Sequence, residues 1–266
     1  MPVSSPALMP TVFIGHGNPM LAITDNRYAT QWQGLGTRLP RPRAVLMVSA
    51  HWYGAGTAVT MQPQPPTLHD FGGFPPALFS VQYPAPGDPE LADEICGLLA
   101  PVIAVRKSED WGLDHGSWSV LRHLYPAADV PVIQLSLDAQ RSGLWHLELG
   151  RRLATLRTQG VMLIGSGNLV HHLGRINWSS DASAHHWAEE ADAWFAEKIV
   201  ARDFDALCNF GGYSPAARLA VPSPEHFLPL LYALGASSSA DQLEFPVTGI
   251  DVASISMRCC VWSSPA

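Results

Sequence analysis

Apolar residues gather in short, nearly unbroken runs at residues 11–15, 44–50, 130–137, 161–166 and 253–262. Runs of this kind, without polar alternation, are the pattern of strands buried on both faces. Between them, apolar positions recur at helical spacing over residues 25–38, 88–100, 117–125, 142–159, 184–202 and 225–234. Local start signals agree with that division. Asp88-Pro89-Glu90 and Ser223-Pro224-Glu225 each place proline just inside a helix after a capping side chain, and Ser142 can cap the long segment that ends near Gly160. Strands alternating with helices predict an α/β domain, with a mainly parallel or mixed central sheet covered by helices on both faces and a site at the strand ends.

Residues 62–86 stand outside both patterns, because they are too rich in proline and glycine for a regular element. A loop that long in a compact domain is usually functional or disordered. Its aromatics, Phe71, Phe74, Phe79 and Tyr83, predict an ordered wall. No repeat, low-complexity tract or shift in composition divides the chain, so residues 1–266 are read as a single catalytic domain.

Composition then narrows the partner. A chain of 266 residues with a formal charge of -7 can bury roughly three quarters of its unfolded surface. It lacks the clustered Lys and Arg that a nucleic-acid backbone or an anionic membrane demands. The expected partner is therefore a small molecule, with no nucleic acid and no membrane, and a homo-oligomer is compatible with the same composition. Cys96, Cys208, Cys259 and Cys260 show neither metal-finger spacing nor a disulfide frame, which fits a reducing cytoplasm. Neither a signal peptide nor a membrane span is expected, since no basic leader and no apolar run of about 20 residues is found.

Three chain-distant runs end in imidazole. The run at 11–15 leads into His16, that at 44–50 into His51, and that at 161–166 through Gly165-Ser166-Gly167-Asn168 to His171 and His172. Open α/β sheets bind ligands at the carboxyl ends of their strands, and imidazole suits borderline cations such as Fe(II) and Zn(II). Singly, each residue has a plainer reading. His16, between two glycines, is also readable as a polar turn residue, and His51 as a core histidine bonded to a carbonyl, each the lesser reading. Adjacent side chains diverge, so only one of His171 and His172 is expected in the site. If the Gly-Ser-Gly turn leads into a helical turn, it is His171 that shares a face with Asn168. His226 is expected on the first turn of a helix begun at Ser223, with Glu225 beside it as a carboxylate ligand or only a first-turn charge. His115, between Asp114 and Gly116 with tryptophans on either side, has the loop setting of a general acid or base. His69, next to Asp70 in the long loop, reads as a substrate contact or an Asx-turn partner. His123, His146, His185 and His186 read as surface or packing residues.

The segments around these histidines resemble a known family. Gly15-His16-Gly17, Ser49-Ala50-His51-Trp52, His69-Asp70-Phe71-Gly72-Gly73-Phe74-Pro75, Tyr83-Pro84-Ala85-Pro86-Gly87, Asp114-His115-Gly116-Ser117-Trp118, Gly165-Ser166-Gly167-Asn168 with His171, and Pro224-Glu225-His226-Phe227 are similar to the class III extradiol ring-cleavage dioxygenases, in their 4,5-DOPA dioxygenase branch. The resemblance runs in order along nearly the whole chain. It implies a single α/β domain that opens a DOPA-like catechol ring with O2 at a divalent non-haem metal, Fe(II) or Zn(II). It also implies that His16, His51 and His226 bind the metal, that His171 is a further ligand or stands behind one, and that His115 is the acid/base. Many members use two histidines and a carboxylate, whereas this chain has His226 at the third position, and members similar to it have been described as zinc-containing.

On that reading a base deprotonates the catechol while its ring packs among Trp52, His69, Phe71, Phe74 and Trp118. Two rivals use the same histidines: a zinc hydrolase that activates water, and a metal-binding protein without activity. Metal content separates the first rival, and catechol-dependent O2 uptake the second.

Overall fold

The computed structural model describes residues 8–179 and 183–265. In chain order its elements are β1 (Thr11–Gly15), α1 (Arg27–Arg38), β2 (Ala44–Gly54), β3 (Ala58–Thr60), α2 (Pro76–Phe79), α3 (Pro89–Leu99), β4 (Arg106–Ser108), α4 (His115–Leu124), β5 (Val132–Asp138), α5 (Gly143–Leu153) and β6 (Val161–Gly167). There follow α6 (His186–Ala201), α7 (Phe204–Cys208), α8 (Phe210–Tyr213), α9 (Pro215–Ala220), α10 (Leu228–Ala236), β7 (Gln242–Glu244), β8 (Ile250–Asp251), β9 (Ile255–Ser256) and β10 (Cys260–Ser263).

Eight strands form one mixed sheet in the order β4-β3-β5-β2-β6-β1-β10-β7, while β8 and β9 pair separately as a hairpin. Its centre, β5-β2-β6-β1, is wholly parallel, so four strands present their carboxyl ends to one edge. Because strand side chains alternate between faces, each central strand feeds two cores. Val12, Ile14, Val45, Met47, Met162 and Ile164 pack on the side of α1 and α4. Phe13, Leu46, Val48 and Leu163 pack on the side of α3, α5, α6 and α10.

The caps read from the sequence form at two of three places. Asp88 accepts the Leu91 N–H at 3.0 Å and Ser142 accepts that of Trp145 at 3.4 Å. Ser223-Pro224-Glu225 instead forms a tight turn, in which the Pro224 carbonyl accepts from Phe227 at 2.9 Å and Leu228 at 3.0 Å. The helix begins only at Leu228, with Pro229 in its first turn. Pro229 is therefore the helix-starting proline, and His226 lies in the turn ahead of the helix. The apolar run at 253–262 also differs from expectation. It supplies both β9 of the hairpin and β10 of the main sheet, because residues 257–259 bond outside either ladder, Met257 N–H to Gly249 O at 2.8 Å and Cys259 N–H to Val247 O at 2.9 Å. Apolar continuity reports burial, and here burial extends across two different pairings. The short strands β3, β4, β7 and β8 and the short helices α7, α8 and α9 carry too few residues for a periodic signal.

Gly165-Ser166-Gly167, which reads as a turn in the sequence, is the end of β6 itself. The glycines serve close approach. A Cβ at Gly165 would overlap the Pro229 carbonyl oxygen, and one at Gly167 would overlap that of His226. Helix α10 and the turn before it thus lie directly against β6.

Far from this edge, the side chains of Arg157 and Asp241 are each only 2% exposed and form a paired contact at 2.7 Å. The guanidinium also donates to the carbonyls of Met9 and Ala236. Removing one partner of a buried pair strands the other charge, so Arg157→Ala should lower stability by roughly 3–5 kcal/mol. Urea denaturation checks this.

Candidate metal centre

Strand β6 lies between β1 and β2, so His16 and His51 reach the site from its two sides rather than from adjacent strands. Ser166 of β6 stands between them. Its hydroxyl donates to the Gly116 carbonyl at 2.6 Å and lies 3.0 Å from His16 Nδ1. Having spent its one proton, the hydroxyl must accept from His16, which places the imidazole proton on Nδ1 and leaves Nε2 a bare lone pair. The same logic holds around the site. His51 Nδ1 lies 3.2 Å from one oxygen of Asp70, and His115 Nδ1 lies 3.0 Å from the other. His226 Nδ1 lies 3.2 Å from a Glu225 oxygen. Each carboxylate can only accept, so in the neutral rings the four Nε2 atoms are left as acceptors.

Two of these, on His16 and His51, face each other at 3.1 Å. Lone pairs at that distance repel unless a proton or a metal ion lies between them, and the same two nitrogens can share either. The ring centres of His16, His51 and His226 form a nearly equilateral triangle with sides of 5.2, 5.3 and 5.2 Å. An imidazole bound through about 2.1 Å has its centre roughly 3.2 Å from the ion, so three such rings around one ion sit about 5 Å apart. Ligand atoms also form two tight sets, His16, His51 and His115, and then His171, Glu225 and His226, with each set's atoms within 4.8 Å of one another. The donors therefore fit a divalent ion, and the proton-fixing partners on their far nitrogens are those metal-bound histidines usually have.

Burial, followed by the neighbouring histidines His51, His226 and His115, holds His16 well below the usual imidazole range. Burial and His171 do the same at His226. At His51 burial is outweighed by the Asp70 hydrogen bond and by the charges of Asp114 and Glu225, so its pKa is raised. Burial would raise the Asp70 carboxyl, but hydrogen bonds from His115 and His51 reverse that and hold it well below the carboxylate range.

His115 is not in a loop. It opens α4, whose cap Asp114 accepts from Ser117 N–H at 3.1 Å, Ser49 hydroxyl at 2.7 Å and the Gln134 amide at 2.7 Å. This buried carboxylate ties β2, α4 and β5 together beneath His51 and His115. The His115 backbone N–H also donates to Asp70 at 2.9 Å. His171 lies flat against His226, with centres 3.4 Å apart and planes 9° apart. Its segment bends at Leu169 and Val170 before His171 bridges Ile255, so no helical turn joins it to Asn168. His172 turns away toward Trp187.

These histidines form the inner end of a cavity of about 250 Å³ whose outer wall includes Phe71, Phe74, Leu173, Ile176, Trp178 and Val252. Two expected substrate contacts lie elsewhere. Trp52 stacks on Trp111 with centres 5.4 Å apart and lines a separate hollow. The His69 ring bonds the Val81 carbonyl at 3.0 Å and packs on Phe71, supporting the wall from behind. Trp118 likewise braces the loop, donating to the Leu68 carbonyl at 2.8 Å. Asp70 and Ser166 were not singled out from the sequence. The only signals were a carboxylate next to His69 and a hydroxyl two residues ahead of Asn168. A larger hollow of about 550 Å³ contains one histidine, His123, whose ring is already bonded to the Leu21 carbonyl at 3.1 Å.

A sheet that gathers imidazoles at its carboxyl edge, beside an aromatic-walled cavity, has the donor set of a metal-dependent enzyme, and comparison with known proteins gives the class. Residues 11–256 match the family described as the catalytic LigB subunit of aromatic ring-opening dioxygenase. The chain is 46% identical over 258 residues to the 4,5-DOPA dioxygenase extradiol of Escherichia coli K12, covering 96% of this chain and 95% of that protein. It is 38% identical over 240 residues to the Beta vulgaris protein of the same name, covering 88% and 89% respectively. The crystal structure of an uncharacterized Escherichia coli K12 protein superposes with a TM-score of 0.83 at 43% identity, over 95% of this chain and 99% of that one. The chain belongs to the LigB family and is an extradiol ring-cleavage dioxygenase. No helix among the described residues is long and apolar enough to cross a membrane.

The close approach at β6 yields a test. Gly167→Ala puts a methyl group where the His226 carbonyl now sits, which should push that turn outward and weaken metal binding by roughly 10–100-fold. Competition against a chromophoric chelator measures this, and an unchanged affinity would show that the approach does not position His226.

Proposed function

We propose that the enzyme opens the ring of a catechol with O2, using a divalent non-haem ion held by Nε2 of His16, His51 and His226. In this reading His171 is a further ligand or the ring that backs His226, and His115 carries the proton. The observation that carries the proposal is the 3.1 Å approach of the His16 and His51 Nε2 atoms at the inner end of an aromatic-walled cavity. The names of the relatives point to the same substrate class, since DOPA is a catechol. When bound, the ion would bring the catechol oxygens and O2 together and make the hydroxyls more acidic. Fe(II) suits this chemistry, because Zn(II) has no redox chemistry of its own.

The chain's own residues supply the rest. Burial lowers the pKa of His115, so it is neutral near pH 7. Asp70 holds its proton on Nδ1, so Nε2 is ready to take a proton from a catechol hydroxyl and to return it as the ring opens. Phe71 and Phe74 offer edges and faces to a planar ring and exclude water. A cavity of about 250 Å³ lies below the usual range of roughly 300–1,000 Å³ for drug-sized ligands, which matches a one-ring molecule. Those aromatic walls support ring opening over a zinc hydrolase.

The test is metal analysis of anaerobically purified protein, followed by O2 uptake with a panel of simple catechols. Metal-loaded protein that consumes no O2 with any catechol would sink the proposal. His115→Gln should keep its metal and still bind catechol, but lose roughly 10²–10⁴-fold in kcat. Loss of the metal from a folded His115→Gln protein would make His115 a ligand instead. His172→Ala should turn over nearly as the parent does in the same O2-uptake assay, and an inactive, folded variant would show that the wrong member of the pair had been assigned.

A further inference from the structure

The outer wall of the cavity has a feature that the ring-opening chemistry does not use. The β8–β9 hairpin turns through Val252 and Ala253, whose φ angles are +41° and +67°. Left-handed backbone is unfavourable for any residue with a Cβ, and most so for a β-branched one. The turn is held in that state by its surroundings. Asn177 N–H donates to the Val252 carbonyl and His185 N–H to that of Ala253, both at 3.0 Å. The Ser254 hydroxyl donates to the His172 carbonyl at 3.0 Å. The strained turn is thus clamped to the segment that contributes Leu173, Ile176 and Trp178 to the same wall. Leu173 and Trp178 are large apolar side chains, yet they are 63% and 65% exposed at the cavity mouth. Persistent strain in a ligand-lining residue points to a demand on that side chain's position, and clustered exposed apolar groups point to something that covers them.

We propose that Val252, Leu173, Ile176 and Trp178 form a subsite for an uncharged, apolar substituent on the catechol ring, and that Val252 sets this specificity. The inference rests on the ring-opening reading. A carboxylate placed against these four side chains would meet no polar partner, because the described residues lining the cavity include no Lys or Arg and its histidines lie at the inner end. An alkyl chain of equal length would instead cover Leu173 and Trp178 and gain by leaving water.

Binding is measured by anaerobic calorimetry on the metal-loaded enzyme with catechol, 4-propylcatechol, 3-(3,4-dihydroxyphenyl)propanoate and L-DOPA. The propyl compound should bind at least roughly tenfold more tightly than either charged compound, because the charge costs more than it regains. Val252→Gly relaxes the turn, so it should melt roughly 2–4 °C higher while losing most of that preference. Ile176→Arg should reverse the preference in favour of the propanoate. Equal affinities across the substituted catechols would overturn the subsite, and a Val252→Gly enzyme with intact preference would overturn the role of Val252. Failure of plain catechol to bind would instead strike the ring-opening reading itself.

Discussion

Bare imidazole nitrogens repel one another, and the carboxyl edge of this sheet is built to hold several of them together. The parallel register of β1, β6 and β2 brings His16 and His51 to one point from opposite sides of β6. The two glycines of β6 let α10 and its preceding turn come close enough to add His226. Such an arrangement is stable only if each ring's proton is held on its far side. Ser166, Asp70 and Glu225 do this, with a hydroxyl already committed elsewhere or with a carboxylate that can only accept. A positive ion at the centre would turn the mutual repulsion into shared attraction.

The cost of desolvating so many polar groups is met by a network beneath them. Asp114, fully buried, accepts from Ser49, Ser117 and Gln134 and so joins β2, α4 and β5. His51 and His115 rise from two of those elements, with ring centres only 3.9 Å apart. The whole floor of the site is one hydrogen-bonded unit, packed between two apolar layers on the opposite faces of the sheet.

Much of this was legible in the sequence because buried parallel strands leave a clear apolar signature, and imidazoles at the ends of three such strands point jointly to one site where each alone would not. The central strands, the caps at Asp88 and Ser142, and the gathering of histidines from distant segments follow from local pattern alone. Other features depend on partners far along the chain. Gly165 and Gly167 look like a turn until Pro229 and His226 are seen against them. Asp70 looks like an Asx-turn residue until two rings meet its oxygens. Trp52 adjoins His51 in sequence, but alternation along a strand sends its ring to the other side, where Trp111 receives it. His226 was placed on a helix because proline marks a helix start, and two prolines five residues apart offered two such starts.

Asp70 and Phe71 are consecutive. The carboxylate that aligns His51 and His115 and the first aromatic ring of the cavity wall therefore travel on one short piece of chain. The ring that packs against the substrate side of the wall and the carboxylate that orients the two imidazoles cannot be moved separately, so a change that shifts the wall also shifts the base.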